Sequence, residues 1–281
     1  MLLERLIAGL LPVAAGLHLA AAIGMAMNRF RAGNRLWITG WILSGCIVLL
    51  NGLLCREIPL GNMYHVLTLL PVVLYPLHRM AERMTGHRLS PIAMIVVAAV
   101  PLIGACFMNR HWLWQRPPVL QSAWFIPHVM AYVSAYALAG AAFGTWLSAV
   151  VQRLRGLDPT QLDKTATATL RLMFPFMTAG LCTGAIWADT AWGTFWSWDP
   201  KETWSLITWL LYAACLHAPS TPRGLAAGRR LHALAFGALL VTFLLVNLLP
   251  RLASPLHGYA ATSPARVDAR PPWCNNPPAH I

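Results

Sequence analysis

Long apolar runs alternate with short polar stretches along the whole chain, and the runs have the length that crosses a lipid bilayer. A spanning helix needs roughly 20 apolar residues, because the hydrocarbon core is about 30 Å thick and a helix rises about 1.5 Å per residue. Eight candidates follow, at about 6–27, 36–54, 63–78, 91–108, 123–150, 172–188, 203–218 and 231–251, the third, sixth and seventh being short. In lipid every backbone polar group must be satisfied within the span, so the pattern predicts helices. The fold class is therefore an all-α integral membrane protein, a bundle of about eight transmembrane helices. The apolar run after Met1–Arg5 has no small-residue cleavage site and reads as a retained first helix rather than a signal peptide.

Composition agrees. Hydrophobic residues make up 57% of the chain and charged residues 11%, and the mean hydropathy is +0.55, which leaves too little polar surface for a soluble domain. A net charge of +12 would suggest nucleic acid in a soluble protein, but here the basic residues fall between the apolar runs and act as topology signals. Thirteen of the 21 lie in the alternate stretches 28–35, 79–90, 151–171 and 219–230. The positive-inside rule puts those stretches in the cytoplasm, with both termini and the loops 55–62, 109–122 and 189–202 on the outer, periplasmic side. The chain then divides into residues 1–110 with helices one to four, a core of 111–260 with helices five to eight, and a Pro-rich outer tail, 261–281, that reads as disordered. The six cysteines are scattered without Cys-x-x-Cys spacing, so no disulfide framework or zinc site is implied.

The outer loop before helix seven carries the chemistry. It reads Trp192-Gly193-Thr194-Phe195-Trp196-Ser197-Trp198-Asp199-Pro200-Lys201-Glu202-Thr203-Trp204. Asp199, Pro200 and Glu202 form the N-cap, first helical position and capping-box partner expected at a helix start. Four tryptophans and a phenylalanine in the same stretch make a polarizable apolar surface suited to a flat conjugated ligand such as a porphyrin. Lys201 and the helix N-terminus offer cations and amides to its propionates. Trp124 and Trp187 read instead as helix-end residues of an interfacial belt. Two histidines flank the loop on its own face, His128 near the outer end of helix five and His257 just beyond helix eight, as a haem iron held between two imidazoles requires. His217 lies 15 residues beyond Glu202, about 22 Å deeper, and cannot join that site. His78, His87 and His232 read as solvated or headgroup-contacting residues near cytoplasmic helix ends.

The Trp-rich stretch, with the following Leu206-Ile207-Thr208-Trp209, resembles the WWD signature of the haem-handling membrane proteins of cytochrome c maturation, and Lys201-Glu202 after Asp199-Pro200 resembles the CcsA (ResC-like, system II) branch. Pro127-His128-Val129-Met130-Ala131-Tyr132 is similar to the family's histidine helix before the loop, and Leu256-His257-Gly258-Tyr259-Ala260 to its segment after it. Gly61-Asn62-Met63-Tyr64-His65 looks like an Asn-Leu-Tyr-Glu stretch of the family but departs from it at His65. The resemblance implies that haem b, as transported substrate, crosses the bacterial cytoplasmic (inner) membrane and is presented to an apocytochrome c bearing Cys-x-x-Cys-His. That motif is absent here, so the chain is not itself a c-type cytochrome. The implied haem contacts are His128 and His257 as iron ligands, His217 as a second haem site, and Trp192, Trp196, Trp198, Asp199, Lys201 and Trp204 around the macrocycle. No catalytic residue is assigned, because a haem-lyase subunit of this kind acts by binding and positioning. The implied partners are a CcsB/ResB-like membrane subunit, a thiol reductant pathway and membrane lipids, with no nucleic acid. The alternatives are a CcmC-like haem-delivery subunit, a quinol-oxidising cytochrome b-type anchor and a small-solute transporter. The last two lack support from paired histidines at both leaflets or from inverted repeats.

Overall fold

The computed structural model describes residues 2–108, 118–218 and 221–245; His257 and the tail lie outside the described residues. Within them the chain is all-helical and has no strand. The helices are α1 (Leu2–Ala26), α2 (Phe30–Cys55), α3 (Met63–Thr85), α4 (Pro91–Cys106), α5 (Phe125–Leu154), α6 (Thr160–Trp192), α7 (Pro200–Leu216) and α8 (Pro222–Leu240). A 3₁₀ turn, Pro118–Gln121, precedes α5, and α8 runs on into a π turn, Val241–Leu245. Five helices, α1, α2, α5, α6 and α8 with its π turn, are long and apolar enough to cross a membrane. With 16 residues α4 is apolar but short, and α7 has 17, so each spans about 25 Å.

Several helices outrun their apolar windows. α6 begins at Thr160, twelve residues ahead of the predicted start, and α3 continues to Thr85. Hydropathy marks only the part that lies in hydrocarbon, whereas polar residues at the membrane surface continue a helix at little cost. Thr165 and Thr169 illustrate this, each returning its hydroxyl to the carbonyl four residues back. The longer helices correct the placement of two histidines. His78 and His232 are each 3% exposed; neither is solvated. His78 lies inside α3 against Trp37 at 5.3 Å, and His232 is ten residues into α8, beside Phe143, Trp146 and Tyr212.

At the centre stands α5, which packs against α3, α4, α6 and α8. Its run Ala135 to Ala142 is buried alanine and glycine apart from Tyr136 and Leu138, and small side chains let helices approach closely where lipid gives no hydrophobic drive between them. Four helices carry an internal proline or two, each removing one helical donor. Pro76 leaves the Val72 carbonyl without its usual partner, and Trp41 of α2 donates its indole N–H there at 2.9 Å. At one end of the bundle Arg153 of α5 pairs with Asp163 of α6, and Arg229 of α8 lies 3.9 Å from the same carboxylate. Asp158, in the turn between α5 and α6, accepts from the hydroxyl and N–H of Thr160 at 2.5 and 3.0 Å, which holds its carboxyl below the usual range. The opposite end gathers the α2–α3 loop, the start of α5, the end of α6 and the Trp-rich loop.

Candidate functional site

The Trp-rich loop is built by its two caps. Gly193 ends α6 in the left-handed conformation, φ +77°, with its N–H on Asp189 O at 2.8 Å. Asp199 starts α7, its carboxylate accepting from Lys201 N at 2.9 Å, and the capping box with Glu202 is complete. Glu202 does more than cap. One of its oxygens accepts from Ser197 N at 2.8 Å, Ser197 Oγ at 3.2 Å and Asp199 N at 3.3 Å. The Thr203 hydroxyl donates to Trp198 O at 3.3 Å. These bonds bracket Trp198, which has φ +59°, a conformation that costs a residue with a bulky side chain roughly 1–2 kcal/mol. Trp198 is thereby held 69% exposed.

Behind the loop a cleft opens into the bundle, with a cavity of about 170 Å³ that widens to about 1140 Å³ of non-protein space once the open solvent at its mouth is included. Its walls are Leu60 to Asn62 from the α2–α3 loop, Met63 at the start of α3, Phe125, His128, Tyr132 and Tyr136 from α5, and Gly180, Gly184 and Trp187 from α6. Phe195 and Trp196 of the loop, Lys201, Glu202 and Ser205 of α7, and Phe243 of the π turn close it. The His128 ring stacks on Trp187 at 5.6 Å and 27° and meets the edge of Tyr132 at 5.1 Å and 82°. Its Nδ1 lies 2.9 Å from the Gly180 carbonyl. A carbonyl oxygen only accepts, so Nδ1 carries the proton and the neutral ring has its lone pair on Nε2, the form that ligates a metal. An imidazole among aromatic walls, with a lysine and a carboxylate at one side, suits a flat apolar ligand that carries a metal and acidic groups.

A family profile described as cytochrome C assembly protein matches residues 57–253, which takes in every helix that lines this cleft. The chain belongs to that family. A CcsA cytochrome c biogenesis protein of Synechococcus elongatus is 33% identical over 264 residues, covering 72% of this chain and 78% of the relative. The CcsA protein of Trichodesmium erythraeum is 30% identical over 330 residues, covering 84% and 92%. That of Chlamydomonas reinhardtii is 33% identical over 222 residues, covering 72% and 60%. The chain is thus a multi-pass membrane protein of CcsA type with a role in cytochrome c biogenesis.

The site residues named from this CcsA-type sequence are distributed unevenly. His128, Trp196 and Lys201 line the cleft together. Trp192 packs on Trp187 at 4.9 Å, Asp199 is buried as a cap, and Trp198 meets Trp196 edge-on at 6.0 Å from outside. These three, and the half-buried Trp204, are not among the described lining residues. His217 ends α7 at the opposite end of the bundle, exposed, with Nδ1 2.8 Å from Ala213 O. Trp187, taken for an interfacial belt residue, is 2% exposed and forms a wall of the cleft. The α6 glycines had no motif to announce them, whereas the α2–α3 loop carries the Gly61-Asn62-Met63 stretch that resembles the family's. The spacing of His128, Tyr132 and Tyr136, one turn apart each, is the signal that marks the cleft face of α5.

Proposed function

We propose that this chain carries haem b across the bacterial cytoplasmic membrane and presents it in the outer cleft for covalent attachment to apocytochrome c, as a subunit of a system II cytochrome c synthase. The observation that carries this reading is His128, with Nδ1–H held by a backbone carbonyl and Nε2 left as the lone-pair nitrogen inside an aromatic cleft. Haem is the substrate, and the chain's residues bind and orient it. His128 ligates the iron from one side, and the sequence offers His257 for the other. Trp196, Trp187 and Phe195 exclude water from the macrocycle, and Lys201 offers a cation to a propionate. Each apocytochrome thiol then adds across a vinyl group, sulfur bonding to one carbon and the proton going to the other, so the step is positional and needs no net oxidant. His217, at the far end of α7, is the contact for haem entering from the inner leaflet. A CcsB-like membrane subunit and a thiol reductant pathway complete the system.

The test is an optical spectrum of the purified protein together with an assembly assay. His128→Gly and His257→Gly are each expected to lose the six-coordinate haem spectrum and cytochrome c assembly, and added imidazole to restore part of both. His217→Gly should empty the outer cleft as well, because supply precedes presentation. If His128→Gly and His257→Gly keep the native spectrum and full assembly, the reading is wrong.

A further inference from the structure

We propose that Gly180 and Gly184 of α6 form a seat that positions the His128 imidazole for ligation, a deepening that rests on the reading of His128 as a haem ligand. The two glycines are four residues apart, so they share one face of α6, and that face meets α5 at His128 and Tyr132. A Cβ built on Gly184 would stand 2.6 Å from His128 Cε1 and 2.7 Å from Nδ1, but 3.7 Å from Nε2. The backbone of α6 therefore crowds the Nδ1–Cε1 edge and leaves the Nε2 corner farthest from it. A Cβ on Gly180 would stand 2.9 Å from the Tyr132 ring, whose edge in turn bounds His128. The ring has no room to retreat, because Trp187 is stacked on it and is itself buried. The absent side chains let the helix come close enough for the Gly180 carbonyl to accept a hydrogen bond from Nδ1–H at 2.9 Å.

Three consequences meet at one ring. The carbonyl selects the tautomer, Trp187 and Tyr132 set the ring plane, and the bare Gly184 backbone sets its depth. A ligating histidine gains both orientation and basicity from such an outer partner, and loss of one typically costs 10- to 100-fold in metal affinity. Small residues four apart also serve plain helix packing, so the measurement must separate seating of the ring from packing of the helices.

The experiment uses the full chain. In haem-free protein labelled with ¹⁵N-histidine, the His128 signal is assigned by its loss in His128→Gly, and the expected tautomer carries its proton on Nδ1. Gly184→Ala should abolish that preference. In the haem-loaded protein Gly184→Ala should convert the six-coordinate spectrum to a five-coordinate one and lose haem about 10- to 100-fold faster, with added imidazole restoring the spectrum. Combined with His128→Gly, the same substitution should cost nothing more, since the ring it collides with is gone. Gly16→Ala, where a Cβ meets nothing within 4 Å, is the control and should leave both readouts unchanged. An unchanged tautomer and spectrum in Gly184→Ala, while His128→Gly loses haem, overturns the seat and leaves the ligand reading standing. An equal loss from Gly184→Ala in both backgrounds also overturns the seat, as a helix-packing defect. A native spectrum in His128→Gly overturns the ligand reading itself.

Discussion

Trp198 is the residue at which local chemistry and loop geometry oppose each other. Its left-handed backbone is unfavourable for a tryptophan, and Glu202 holds it there by accepting from the N–H groups on either side. Relieving the strain and removing the clamp should therefore shift stability in opposite directions. Trp198→Gly is expected to stabilise the fold by about 1 kcal/mol in thermal unfolding in detergent, because glycine adopts positive φ freely. Glu202→Ala should destabilise it by about 1 kcal/mol through the lost capping box. Equal destabilisation by both would show that Glu202 supports the cap alone and that Trp198 carries no strain. The clamp was half legible in the sequence. Asp199, Pro200 and Glu202 read as a helix start, but the bonds from Ser197 depend on the loop folding back over α7, which no spacing rule specifies.

At the scale of elements, prolines show how the bundle satisfies its own backbone. Pro76 deprives Val72 of its helical donor, and the indole of Trp41 supplies one from the neighbouring helix. Trp41→Phe keeps most of the apolar contact and removes only the N–H. It should cost about 1–3 kcal/mol, the penalty of a carbonyl left unsatisfied away from water, measured as the shift in thermal midpoint. Trp41→Phe combined with Pro76→Ala, which restores the helical donor, should recover most of the loss. Failure of the double variant to recover would mean that stacking of Trp41 on Tyr75, not the hydrogen bond, joins α2 to α3. Helix starts and ends follow the same division. Ser90 before Pro91 and Thr221 before Pro222 are local caps and could be read directly, whereas the extension of α6 back to Thr160 relies on its packing against α5 and on Asp163 meeting Arg153.

For the whole molecule, the charge alternation and the cleft are independent and agree. The loops poor in basic residues, 55–62 and 189–202, are the ones that fold into the cleft, while Arg153, Asp163 and Arg229 sit together at the other end. An alkaline-phosphatase fusion after Gly193 should be active and one after Gly156 inactive, with a cytoplasmic reporter giving the reverse. Activity at Gly156 and silence at Gly193 would invert the orientation and place the cleft on the cytoplasmic side.

Much of this architecture is written in one dimension. Apolar run lengths, alternating basic loops and helix caps depend only on neighbours in the chain, so the sequence by itself determined the class, the number of helices among the described residues and the helix cap that closes the Trp-rich loop. The cleft is different, because its walls come from residues more than a hundred positions apart, Leu60 to Phe243. Only the packing of α6 on α5 brought Gly180, Gly184 and Trp187 to His128, whereas the distance of His217 from them was already legible in its spacing from Glu202. Buried His78 and His232 make the same point from the other side. Hydropathy reports how a residue partitions between water and lipid, while burial inside a bundle is decided by which helix face meets which neighbour.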